Sequence, residues 1–506
     1  MWWGEVRPSP TESGSLPATD CGRPLLTRRR ALGLGLAGIA VAGCGRVAYE
    51  IEGDDLPKSI DLPRIDVHPS VRLLNRAGFG PKPGQVAEVE AIGRETWVER
   101  QLDPGEEEPA ALKLQLGSLD ALSIDGEELR DESDEEVLIQ IQMAALLRAT
   151  YSPWQLRERM VDFWTNHFNV YALKGRGIYR KPADDSEVIR KNALGRFPDL
   201  LRASAHSPAM LAYLDNQVNK AGVPNENYAR ELMELHTLGL HGGYSQRDVQ
   251  EVARCFTGWT LEAGPFNLRD TARRFTHPAG TFRFDPSIHD DEAKVVLGHR
   301  IPAGGGENDA NLVLEILANH PSTARFVSSK LCRHFLGSTD SPWVDKLAKI
   351  YGDTAGDIRA MLKPLLLSPE LLQGPPVAKR PIDFLVSALR AIDAKSDCGP
   401  TIQKHLADMG QAPYLWPMPD GYPDRTSAWT GSLLARWNFA SALASGRIGG
   451  TTVDFNLLRQ KMNGYEVRAL VLDTSPKINL VCARHDALEP AKAAALALCA
   501  PEFQWR

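Results

Sequence analysis

"NENYARELMELHTLGL", Asn225 to Leu240, carries the reading of the fold because a histidine stands among its leucines. On a helical wheel at about 100° per residue, Tyr228, Gly239, Leu232, His236, Ala229, Leu240 and Met233 fall on one continuous arc, with His236 near its middle. Asn227, Arg230 and Glu234 gather opposite. Glu231 falls at the edge of the apolar stripe, between Leu238 and Leu235, which makes it half-buried. A regular helix would aim Glu234 and His236 about 200° apart, so the two cannot ligate one metal. A site here needs His236, with Glu231, to meet side chains from another element.

A second segment, "LRERMVDFWTNHFNVYAL" (156–173), repeats the pattern. Val170, Phe163, Leu156, Met160, Trp164, Phe168 and Val161 form its apolar arc, and His167 again sits inside it. Asp162, Asn166 and Asn169 take flanking or opposite positions. A lone core histidine ordinarily hydrogen-bonds a backbone carbonyl through one ring nitrogen. Two of them on two strongly amphipathic helices also fit a shared polar site, and both readings stay open here.

The surrounding chain is mainly α. Its 506 residues are 43% hydrophobic and 24% charged, enough for one large or two modest domains. The net charge is −6 and no basic stripe with interleaved aromatics appears, so nucleic acid is excluded as a partner. Helical text dominates from Glu136 to Trp259, where Ser207-Pro208 reads as a helix start, and returns over 308–390, where Ser322 reads as an N-cap. The acidic run Ser123–Val137 reads as a solvated loop and helix start. Between the helical stretches, Gly280–Ile301 alternates with period two on either side of a polar turn, the pattern of a small β-hairpin or flap. The resulting expectation is a multi-helical domain over 71–506, divisible into 71–265 and 302–506, with a hairpin insertion around 280–301.

The first residues are a different kind of text. Thr27-Arg28-Arg29-Arg30-Ala31-Leu32 resembles a twin-arginine export signal, and the apolar run from Ala31 to Gly43 is too short to span a bilayer. Val41-Ala42-Gly43-Cys44 resembles a lipoprotein cleavage box. Residues 1–43 are therefore expected to be a signal peptide, Cys44 a lipidated N-terminus anchored to a cell-envelope membrane, and 44–70 a tether. An uncleaved anchor is the alternative. Cleavage would remove five arginines and three acidic residues and take the net charge to −8. The remaining cysteines at 255, 332, 398, 482 and 499 are far apart and lack a C-x-x-C pair, so no zinc ribbon or disulfide framework is indicated.

The ordered blocks "LLNRAGFGP", "FWTNHF", "LDN", "NENYARELMELHTLGL", "VARCFTGW", "HDDEAKVVLG", "HPSTARFVSSKL" and "DGYPD" resemble the bacterial family catalogued as domain of unknown function 1800. The resemblance runs from about Arg72 to the last residues. It implies an exported, mostly helical protein and brings no established activity. It also implies an extracytoplasmic partner, a sulfatase- or phosphatase-like protein encoded beside many members. The loop "GQAPYLWPMPDGYPD" departs from relatives that carry Gly-Trp there.

Two functions fit these readings. The first is an extracytoplasmic enzyme or redox protein in which His167, His236 and Glu231 serve as acid-base groups or as ligands of a transition metal. Asn166, Asp215, Asn225 and Arg230 would support them, and His289, Asp290 and Lys294 on the hairpin turn would close over the site. The Glu-x-x-His spacing of di-iron bundles is absent, which counts against that precedent. The second is a non-catalytic cell-envelope protein that binds a partner protein or a polysaccharide, with Trp416 and Trp429 free to stack on a sugar or packed within their loop. G-x-S-x-G, H-E-x-x-H, a Walker loop and C-x-x-C-H are all missing, so the hydrolase, nucleotide and haem classes they mark gain no support.

Overall fold

The computed structural model describes residues 68–105, 107–123, 128–262, 280–456 and 490–506. The expected signal peptide, most of the tether, Cys44 and Cys482 lie outside them. Arg64–Arg506 form one compact unit. Among the described residues no helix is long and apolar enough to cross a membrane.

The unit is mainly α, as its periodicities require, with three small antiparallel strand pairs among the described residues. Sequence-distant helices interleave in its core. Helix Pro69–Ala77 packs on Pro369–Gln373, and the long helix Asp134–Tyr151 packs on Pro381–Ala391. The acidic run explains itself as the start of Asp134–Tyr151. Ser133 Oγ accepts from the Glu136 N–H, and Asp134, Glu135 and Glu136 lie at the positive end of the helix dipole. Pro208–Tyr213 begins as expected after Ser207.

Three local departures matter. The 156–173 pattern stops being helical at His167, because Phe168 caps helix Gln155–His167 and the chain turns away with its apolar side chains still buried. Helix Glu226–Glu231 runs into a π-turn, Leu232–Thr237, in which the Leu238 N–H reaches back five residues to the Met233 carbonyl at 2.8 Å. A wheel assuming 3.6 residues per turn fails there, and such bulges recur at functional sites. Helix Pro321–Leu336 is capped by His320, not Ser322. Its Nδ1 accepts from the Ser322 N–H at 3.1 Å, since Pro321 supplies the first helical residue and holds His320 extended.

Strands are present around 280–301, but the two flanking the polar turn do not pair with each other. Phe282–Phe284 pairs with Trp259–Leu261, and Lys294–Val296 pairs with His299–Ile301. The tight turn of the second pair is Leu297-Gly298, where both residues adopt positive φ. Alternation sets the face a strand shows, not its partner.

Candidate functional site

Helix Gln155–His167 delivers "TNHFN" (165–169) to the centre of the molecule, and each polar residue of that stretch has a distinct task. Asn166 acts as a two-point clamp on the loop 412–425. Its Nδ2 donates to the Tyr422 carbonyl at 2.9 Å, and its Oδ1 accepts from the Tyr422 N–H at 2.7 Å. Asn169 Nδ2 donates to the carbonyls of Trp416 and Met418 at 2.9 and 2.7 Å. Gly421 is what lets the loop come this close. It has φ +75°, and a Cβ there would lie 2.2 Å from the Asn166 carbonyl oxygen.

His167 and His236 are brought together, with ring centroids 6.1 Å apart and 2% and 1% exposed. The contact is His167 Nε2 to the His236 carbonyl oxygen at 3.1 Å, which fixes the proton on Nε2. Burial, with Lys330 adding to it, holds His167 well below the usual imidazole range and pushes His236 down to about 3. Both rings are neutral. His167 Nδ1 and His236 Nε2 have no hydrogen-bond partner in the structure.

Glu231 is half-buried as expected, and burial together with Glu234 raises its carboxyl. It does not complete a ligand set with the two histidines: among the described residues no three His, Cys, Asp or Glu converge to hold a metal ion. Without that convergence the three residues do not make the ligand set expected of them, although the bond of His167 Nε2 to a carbonyl leaves Nδ1 free. Of the supporting residues, Asn225 caps its own helix, Arg230 pairs with Glu226 at 2.9 Å, and Asp215 pairs with Lys174 at 2.8 Å. His289 and Lys294 serve a different centre, the buried Asp309, whose Oδ2 lies 3.3 Å from His289 Nε2 and 2.7 Å from Lys294 Nζ. Asp290 pairs with Arg254 at 2.7 Å. These contacts fasten the strand pair to the helices.

Beside the asparagine clamp opens a cleft of about 930 Å³. One wall is the face of helix Pro321–Leu336 that carries Ser322, Arg325, Phe326, Ser329, Lys330 and Arg333, spaced three and four residues apart. The other wall is the clamped loop, with Asp420, Tyr422 and Asp424. Leu238–His241 form the floor, where Gly239 at φ +78° accepts the Phe326 ring against its backbone. Trp416 and Trp429 pack this loop. Their indole N–H groups donate to Asp420 Oδ1 at 3.0 Å and the Pro423 carbonyl at 2.9 Å.

Lys330 stands where the cleft meets a smaller recess of about 40 Å³ that reaches His167, His334, Arg380 and Arg506. Its ammonium lies 5.6 Å from the Phe326 ring centroid and makes no hydrogen bond or ion pair among the described residues. Burial pushes it down to about 8, against the pull of Asp424 and Asp420. Nearby Arg333 is already paired with Asp424 at 3.1 Å. Periodicity did not single out Lys330, since a lysine on an amphipathic helix ordinarily marks a solvated face. The available signal was the cationic stripe Arg325, Lys330, Arg333 and the "DGYPD" block that turns out to face it.

Among the described residues no two cysteines are paired. Cys255, Cys332 and Cys398 are free and buried, and burial pushes the last two thiols up to about 12. Neither the curated proteins nor the solved structures contain a match to this chain. The family model described as "Protein of unknown function (DUF1800)" matches residues 72–505. With nearly all of the folded unit covered by that match, the chain belongs to the DUF1800 family.

Proposed function

We propose that the protein is an exported, lipid-anchored enzyme of the cell envelope, and that it works in the cleft between helix Pro321–Leu336 and the loop 412–425, with Lys330 as general base. The observation that carries this is the place of Lys330: a half-buried amine with no ion pair among the described residues, standing where the cleft meets the recess, where desolvation pushes it down to about 8. A surface lysine, with a pKa near 10.4, is protonated more than 99% of the time at pH 8 and cannot accept a proton there. Neutral His167 lines the recess behind it, with neutral His236 packed against His167. Phe326 confines the amine from below, and the clamped loop carries Asp420 and Asp424 over it.

Competitive labelling with trace acetic anhydride, read by peptide mass spectrometry across pH 6–11, tests the assignment. Lys330 should titrate near 8, well below the ordinary lysine range. A Lys330 that titrates with the surface lysines would remove the base and leave the cleft to a non-catalytic binding role, toward a polysaccharide or a sulfatase- or phosphatase-like partner. Export and anchoring rest on residues 27–44. Cys44→Ser should release the protein from the membrane fraction and abolish incorporation of a fatty-acid label.

A further inference from the structure

The recess behind Lys330 is bounded by helix Gln155–His167, helix Pro321–Leu336, the segment 377–380 and Arg506. At about 40 Å³ it has room for roughly three water-sized positions, enough for one small polyatomic group. Its polar lining is mostly cationic or donor-bearing. Lys330, Arg333, Arg380 and Arg506 carry charge, His167 and His334 contribute imidazoles, and Asn166 and Asp424 stand at the mouth. Asp424 is engaged by Arg333.

Besides Lys330 and the acceptor His167 Nδ1, two residues of this lining carry unused hydrogen-bonding atoms. Arg506 is 7% exposed, its Nη1 has no hydrogen-bond partner, and its Nε lies 3.6 Å from Asp383 Oδ2, beyond hydrogen-bonding range. His334 Nε2 is likewise buried and without a partner. A buried guanidinium with an idle N–H is costly, and native structures rarely leave one.

The charge behind the recess points the same way. Arg159, Arg380 and Arg506 all converge on Asp383, with Asp162 as second carboxylate to Arg380. Arg76 and Lys379 lie in the same field. Among the described residues three guanidiniums thus share two carboxylates, with Lys379 in the field of Asp383 and Arg76 in that of Arg159 and Arg506, in a region where an uncompensated charge is expensive. Burial pushes Arg506 down to about 9 and Lys379 to about 7, with Asp383 pulling both back up and the neighbouring arginines adding to the fall.

We infer that the recess is the seat of an oxyanion group, a phosphate, sulfate or carboxylate carried by the substrate, gripped by Arg506 Nη1, His334 and the Lys330 side of the cleft. This deepens the reading of the cleft as an active site and rests on it for the word substrate. The acidic group is buried in the recess while the rest of the molecule lies in the open cleft beside the Lys330 amine. Arg506 and His334 are positioning residues here.

The test uses the intact chain with sodium sulfate, phosphate or acetate against sodium chloride at equal ionic strength, by calorimetry and thermal melting. Saturable binding of at least one oxyanion is expected, weakened tenfold or more in Arg506→Gln and in His334→Gln. Sulfate or phosphate binding without acetate binding assigns a tetrahedral group, and the reverse assigns a carboxylate. In the same samples, bound oxyanion should slow anhydride labelling of Lys330 and raise its titration midpoint, while labelling of the exposed lysines does not change. Absence of binding, or binding undiminished in both variants, overturns the seat. If Arg506→Gln fails to fold, His334→Gln and the Lys330 labelling shift decide. Lys330 titrating near 8 without any oxyanion effect sinks the seat alone. Oxyanion binding with an ordinary Lys330 sinks the general base alone.

Discussion

Two imidazoles placed in an apolar core make the protein sensitive to acid in a calculable way. His236 titrates at about 3 in the folded state against 6.5 for an ordinary imidazole, so the unfolded chain binds the extra proton first as pH falls. Stability from this group is complete above about pH 7 and is lost as pH drops through 6.5 toward 3. The loss between pH 7 and pH 5 is about 2 kcal/mol. Urea midpoints at pH 7.5, 6 and 5 should fall steadily, and the slope should flatten in His236→Asn, which packs similarly and does not titrate. An unchanged slope in that variant would place the sensitivity elsewhere. The burial of both histidines was legible from the wheel alone. The use of His167 Nε2 on the His236 carbonyl was not, because hydrogen-bond partners across about 70 residues of chain are set by how the helices meet.

The elements that build the cleft are a helix end, a π-turn and a clamped loop, and each depends on one or two residues. Gly421 is the sharpest case: alanine there would take on a left-handed backbone, which costs about 1–2 kcal/mol, and would drive its Cβ into the Asn166 carbonyl. Gly421→Ala should therefore destabilise by more than that and should alter the fluorescence of Trp416 and Trp429, which pack the loop. Asn166→Ala leaves the Tyr422 N–H and carbonyl without their partner. A loss of about 1–3 kcal/mol is expected, read as a lower melting temperature together with faster proteolysis between 412 and 425. Wild-type protease resistance in Asn166→Ala would mean that the loop is held by its aromatic packing alone. The asparagines stood at flanking or opposite positions in the sequence with no partner assigned, because a wheel ranks polarity and cannot see a loop arriving from about 250 residues away.

Across the whole molecule, the interior holds a charged cluster whose balance spans the chain, from Arg76 and Arg159 to Asp383 and Arg506. Burial alone would raise the Asp383 carboxyl, yet Arg159, Arg380 and Arg506 pull it well below the usual carboxylate range. Asp383→Asn removes the anion on which those three guanidiniums converge. It should cost about 3–5 kcal/mol, and sulfate should restore more stability to this variant than to the wild type. A near-neutral Asp383→Asn would show that the cluster is hydrated rather than paired. The same segment is held by the last residues, since Val377 and Arg506 exchange backbone hydrogen bonds at 3.0 and 2.8 Å. By itself the sequence determined the helical class, the two buried histidines, the half-buried Glu231 and the family, because hydrophobic period and ordered blocks are local properties of the chain. Only the tertiary structure decided which strands pair, that Glu231 does not converge with the histidines on one ligand set, and that Lys330 and Arg333 meet the "DGYPD" loop at a cleft with Arg506 in the recess beside it. Those facts depend on long-range packing, which brings residues hundreds of positions apart into one low-dielectric space and there gives an ordinary lysine or arginine a chemistry its sequence neighbours do not.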